Sequence, residues 1–119
     1  MHGKFSGWKE NASYFVRVTV VIQVDTTNIS SEEYSAAPNI TFLSVNQAIV
    51  NIYRAWSYKG DFNGFNEWYA MQEAALQHYT EDLAMRLNSA RQRAGLPGGW
   101  YINYGLDERH IEVHELSGD

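Results

Sequence analysis

Between Ser13 and Val24 apolar side chains fall on every second residue, with Tyr14, Val16, Val18, Val20, Ile22 and Val24 in phase and Arg17, Thr19 and Gln23 out of phase. Successive side chains of a strand point to opposite faces, so this period of two predicts a strand buried on one side. Further along, from Asn63 to Gly95, the period changes. Trp68, Gln72, Ala75, Leu76, Tyr79, Leu83, Leu87, Ala90 and Ala94 recur at steps of three and four, which stacks them on one face of a long helix. Asn63 is placed to cap its first turn, and Glu67 sets a carboxylate near that positive end. Arg86, Arg91 and Arg93 lie toward the carbonyl end, Gly95 suits the left-handed position past the last turn, and Pro97 forbids continuation. Such a helix is about 45 Å long at 1.5 Å per residue. A compact chain of this size has a diameter of about 35 Å. The helix therefore overshoots its globule, breaks where Thr80, Glu81 and Asp82 offer a second cap, or packs against another copy.

The weaker patterns fill in the rest. Met1 to Asn11 is polar and reads as an arm. In the connection from Asp25 to Pro38, Ser30 and Glu33 have the capping-box spacing and predict one short helical turn that Pro38 ends. Ile40 to Leu43 reads as a short strand. Ser44 and Gln47 repeat the capping-box spacing, with Leu43 and Ala48 as a hydrophobic staple, so a second helix is expected to bury Ala48, Ile49, Ile52, Tyr53 and Trp56 and to stop near Gly60. After Leu96, Pro97, Gly98 and Gly99, the segments Trp100 to Tyr104 and Arg109 to Leu116 read as two arms of a hairpin turning at Gly105 to Glu108. Setting Tyr104 opposite Arg109 places Trp100, Ile102, Ile111 and Val113 on one side, and Tyr101, Asn103, His110 and Glu112 on the other. The expected fold is α+β: a two-layer domain with an antiparallel sheet of about four strands and two antiparallel helices on one face, in the order β-β-α-α-β-β.

Composition narrows the functional classes. The chain of 119 residues is expected to form one domain, residues 1–119, with 1–11 as a flexible arm. Its formal charge of −5 argues against binding a phosphate backbone, so no nucleic-acid partner is expected. With no cysteine, thiol catalysis, disulfides and cysteine-ligated metals are excluded. No leader pattern opens the chain, and its longest apolar run, near Val18 to Val24, is too short to span a bilayer. A cytoplasmic protein without membrane partners is expected, and the triplets at Asn11, Asn28 and Asn39 read as chance rather than glycosylation sites.

The chemical candidates lie at the end of the chain. His110, Glu112 and His114 share the polar face of the last strand and have the side chains of general acid/base work, with Tyr101 or Asn103 to orient one of them. As a metal site they fail on distance, because residues four apart on a strand are about 13 Å apart and only two of the three reach one ion. Asp61, Asn63 and Gly64 look like the start of a calcium loop, but Gln72 stands where the bidentate acid belongs. No Gly-rich phosphate loop, nucleophile elbow or di-iron pair is present, so neither metal nor cofactor is expected. Arg86, Arg91 and Arg93 are explained by favourable charge at a helix C-terminus. The aromatic surplus, 4 Trp, 8 Tyr and 5 Phe, exceeds what one helical stripe absorbs, and it marks Trp68, Tyr69, Trp100, Tyr101 and Tyr104 as ligand or interface candidates. The expected function is a small non-enzymatic binding protein that self-associates, most simply as a dimer, with a further protein partner as an option. The alternative is a small α+β enzyme or ligand-binding protein with a pocket between helices and sheet, using His110, Glu112 or His114.

Overall fold

The computed structural model describes residues 12–115, with side chains for 13–61 and 63–103. The elements are β1 (Ala12–Val24), α1 (Ser31–Ala36), β2 (Thr41–Ser44), β3 (Gln47–Gly60), α2 (Phe62–Arg93) and β4 (Tyr101–Glu115). The strands form one antiparallel sheet in the order β2-β3-β1-β4. The protein is therefore of the α+β class. Its two β-α-β units interleave, with β3 between β1 and β2 and β1 between β3 and β4, an arrangement known as the split β-α-β. The anticipated arm at 1–11 lies outside the described residues.

The period-two segment is β1, and its in-phase residues, Tyr14, Val16, Val18, Val20, Ile22 and Val24, are all buried. They meet Ala48, Val50 and Ile52 of β3 and Phe65, Leu76, Leu83 and Leu87 of α2 in one core. α1 forms at the expected capping box: the Ser30 hydroxyl accepts from the Glu33 amide, and the Glu33 carboxylate accepts from the Ser30 amide.

Three expectations are overturned. The helix expected over 48–60 is the strand β3, paired with β1 from Ala48↔Val24 to Gly60↔Ala12. Its Ile49, Val50, Ile52, Tyr53, Trp56 and Tyr58 are β-branched or aromatic, and a long partner turns that preference into a ladder. Ser44 and Gln47 do not cap a helix but flank the two-residue turn of the β2-β3 hairpin, in which the Ser44 hydroxyl accepts from the Asn46 amide. The final hairpin is likewise a single strand. Both halves of β4 pair with β1 in the same direction, and residues 104–107 stand opposite Val20 alone as an irregularity. The order is thus β-α-β-β-α-β, with one short and one long helix, rather than β-β-α-α-β-β.

α2 is continuous through Thr80, whose hydroxyl donates to the Leu76 carbonyl one turn back, and its N-cap is Asp61 rather than Asn63. It closes as expected: Gly95 has φ 71°, its amide donates to the Gln92 carbonyl, and the Leu96 amide donates to that of Arg91. The length paradox of this helix dissolves because the sheet is equally long. Thirty-two helical residues span about 48 Å, and the 13 residues of β1 span about 43 Å. The chain accordingly measures 67 × 23 × 21 Å, with a radius of gyration of 19.4 Å, where a compact fold of this length has about 13–14 Å.

Candidate functional site

Where α2 ends, four segments of the chain are held together by one buried ion pair. Arg91 is 1% exposed and Glu33 0%, and Arg91 Nη1 lies 3.1 Å from Glu33 Oε2. Capping geometry at α1 aims the Glu33 carboxylate inward, while the four-residue step from Leu83 to Leu87 to Arg91 carries the guanidinium along the apolar face of α2. Arg91 Nε also donates to the Pro97 carbonyl at 2.8 Å, and Nη1 to that of Asn28 at 3.1 Å. The Trp100 indole N–H donates to Glu33 Oε2 at 2.6 Å. Asn88 fastens the same tryptophan from the helix side, accepting from its backbone amide and donating to its carbonyl. Burial pushes the Glu33 carboxyl up, but the hydrogen bonds from the Ser30 amide, the Trp100 indole, the Ser30 hydroxyl and Arg91 outweigh it and leave its pKa below the ordinary glutamate value.

Beside this network lies a cleft of about 400 Å³ lined by Asp25, Asn28, Arg91 and Gly98 among others. Asp25 Oδ1 accepts from the Gln23 amide at 2.9 Å and from the Tyr101 hydroxyl at 3.1 Å. Desolvation and this carboxylate raise the Tyr101 pKa, so its hydroxyl keeps its proton. A second cleft, of about 330 Å³, runs between Pro38, the stretch of β3 from Val50 to Arg54, and Tyr79 and Leu83 of α2. There the Arg54 guanidinium stands 4.7 Å over the Tyr79 ring and donates to the Tyr53 carbonyl.

The residues singled out from sequence are spread over separate places. Trp68 and Tyr69 pack on the core in an aromatic cluster with Tyr14, Tyr58 and Phe65, where Phe65 stacks on Tyr69 at 5.9 Å and on Tyr14 at 4.4 Å. Trp100 is buried as the indole donor to Glu33, and Tyr101 is exposed beside Asp25. The proposed pairing of Trp100 with Val113 and of Tyr101 with Glu112 does not occur, since β4 does not fold back on itself. His110, Glu112 and His114 are register partners of Arg17, Phe15 and Ser13, and Ile111 and Val113 of the buried Val16 and Tyr14. Their side chains and that of Tyr104 lie outside the described residues. Among the described residues no group of three or more His, Cys, Asp and Glu is disposed to hold a metal.

Read from the sequence, Glu33 is a cap and Arg91 a favourable charge for the helix dipole, and neither role points to the other. One signal was available: Arg91 continues the Leu83, Leu87 spacing, which puts a charge on the apolar stripe. A charge in that place needs a buried partner.

No protein-family model, curated protein or solved structure matches this chain. Among the described residues no helix is long and apolar enough to cross a membrane.

Proposed function

We propose that this is a non-enzymatic interaction protein that self-associates, and that copies meet on the sheet face turned away from α2. The observation that carries the reading is the exposure of aromatic side chains on three strands of that face, Phe15, Tyr53 and Tyr101, Tyr53 being 56% exposed. Large rings held on a rigid sheet make contact area at small entropic cost, and such residues dominate interface energies. Charge supports a second copy as the occupant. In the register of this face Lys59 belongs to β3, whereas positions 108 and 112, both glutamate, belong to β4. A two-fold contact that lays β4 of one copy across β3 of the other brings opposite signs together. β3 also pairs with β2 only through Gln47 to Ile49, and no other strand among the described residues pairs with the remainder of that edge, which a strand of a second copy would extend.

Sedimentation equilibrium tests this directly. The protein is expected to show the mass of two chains at micromolar concentration, and Tyr53→Lys to raise the dissociation constant about thirtyfold or more, the loss of one interface hot spot. Its melting temperature is expected to stay near that of the parent, since Tyr53 contributes little to the core. Tyr34→Lys, on α1, serves as the control and leaves association unchanged. A single-chain mass throughout the micromolar range overturns the proposal.

A further inference from the structure

We propose that the cleft beside Arg91 binds a small neutral or zwitterionic molecule that pairs an oxygen acceptor with an N–H donor, of which a free amino acid is the simplest. The cleft meets the sheet face assigned to self-association only where the Tyr101 hydroxyl bonds to Asp25, and Tyr53, the residue that tests association, does not line it, so either reading can fail without the other.

Arg91 carries more donors than its described partners accept. A guanidinium has five N–H donors and no acceptor. Nε uses its hydrogen on the Pro97 carbonyl, and Nη1 uses its two on the Asn28 carbonyl and the Glu33 carboxylate. The two hydrogens on Nη2 have no acceptor among the described residues. Since the side chain is only 2% exposed, these donors are not satisfied by open solvent. Buried donors are nearly always matched, and Arg91 lines the cleft described above, which is where we place the missing acceptor.

Charge narrows the ligand further. Glu33 already neutralises Arg91, so the nearby charge left in the cleft is that of Asp25. A simple anion would gain Nη2 and meet that carboxylate. Asp25 Oδ1 is occupied by Gln23 and Tyr101, while Oδ2 accepts from no described residue. The site therefore offers a donor at its inner end and an anionic acceptor near its mouth. Asn28 and Gly98 line the same space, and the Asn28 side chain and the Gly98 amide have no hydrogen-bond partner among the described residues. With φ 77° and nothing within 4 Å of where a Cβ would stand, Gly98 leaves its backbone accessible to a ligand. A carboxylate or carbonyl oxygen on Nη2 with an ammonium or amide N–H on Asp25 Oδ2 satisfies both ends and adds no net charge. The volume, about 400 Å³, lies in the range of small-molecule sites.

The test is a heteronuclear NMR titration of the full chain with the common amino acids one at a time and with acetamide, and separately with acetate and with methylammonium, which carry one half of the recognition each. The Trp100 indole N–H, bonded to the carboxylate that pairs with Arg91, and the Gly98 and Gly99 amides report on the cleft. At least one two-ended molecule is expected to shift all three saturably, and to bind about tenfold or more tightly than either half. Asp25→Asn, which keeps an acceptor for Gln23 and Tyr101, is expected to weaken that binding about tenfold while the chain stays folded; this is the value of one charge-assisted hydrogen bond. Arg91 is left intact because its removal threatens the fold. Acetate binding as tightly as the best amino acid, indifference to Asp25→Asn, or no saturable shift with any probe each overturns the proposal.

Discussion

Replacing Glu33 by alanine is expected to destabilise the protein by about 3–5 kcal/mol, the cost of leaving one member of a buried ion pair without the other. The substitution strips Arg91 of its counter-charge in a site where the side chains of the pair are 2% and 0% exposed. It also removes the acceptor of the Trp100 indole and of the Ser30 amide. Domains of this size are stable by about 5–15 kcal/mol in total, so the loss is a large fraction, read as a fall in melting temperature of about 10–20 °C. Glu33→Gln retains a neutral acceptor and is expected to lose less. Replacing both residues together with methionine is expected to be far milder than Glu33→Ala, because an apolar pair of similar volume leaves no buried charge. If Glu33→Ala costs only about 0.5 kcal/mol, as surface changes do, the pair is not buried.

Acid titration gives the same site a second signature. The Glu33 pKa is lowered in the fold from the ordinary 4.5, so the unfolded chain takes up this proton more readily than the folded one. The stability owed to the ionised carboxylate is complete above the ordinary value and is lost as the pH falls through the lowered one. Denaturant unfolding at a series of pH values is expected to show this acid-side slope in the parent protein. In Glu33→Gln that part of the slope is expected to be absent.

What the sequence made legible here was local. The alternation of β1, the Ser30 and Glu33 box and the Gly95 and Pro97 stop are each decided within a few residues, and each appears where expected. The segment from Ala48 to Gly60 was ambiguous on the same grounds. Ile49, Ile52, Tyr53 and Trp56 satisfy a helical spacing, while Ala48, Val50, Ile52, Trp56 and Tyr58 satisfy an alternating one. What decides is β1, a partner distant in sequence that supplies a ladder along the whole segment, from Val24↔Ala48 to Ala12↔Gly60. The last segment failed for a related reason. Gly105 to Glu108 reads as a reversal in isolation, but β1 is long enough to pair with both sides of it in one direction. The ion pair joins residues 58 apart in sequence, and neither residue alone announces the other. The aromatic surplus marks Tyr101 as a candidate, whereas its neighbour Asp25 reads only as the start of a loop.

Leu87→Ala is the second substitution with a large expected effect, about 2–5 kcal/mol, and Leu43→Ala is its informative counterpart. The side-chain change is identical, so hydrophobicity alone predicts equal costs. Leu87 is 0% exposed, on the stripe of α2 that faces the sheet, and its truncation leaves a cavity among Ile22, Leu83 and the other core side chains that a rigid helix on a rigid sheet cannot collapse to fill. Leu43 belongs to an apolar run read from sequence as a short strand and as part of a helix staple, both reasons to expect burial. In the fold it lies on the short edge strand β2 and is 52% exposed. Its truncation is expected to change stability by no more than about 0.5 kcal/mol. Paired denaturation curves distinguish the two architectures. Had residues 48–60 formed a helix stapled through Leu43 and Ala48, Leu43→Ala would cost a substantial fraction of what Leu87→Ala costs. With those residues in β3 and Leu43 beside a two-residue turn, the ratio is expected to be at least about four to one. Equal losses would restore the helix and remove the sheet on which both clefts depend.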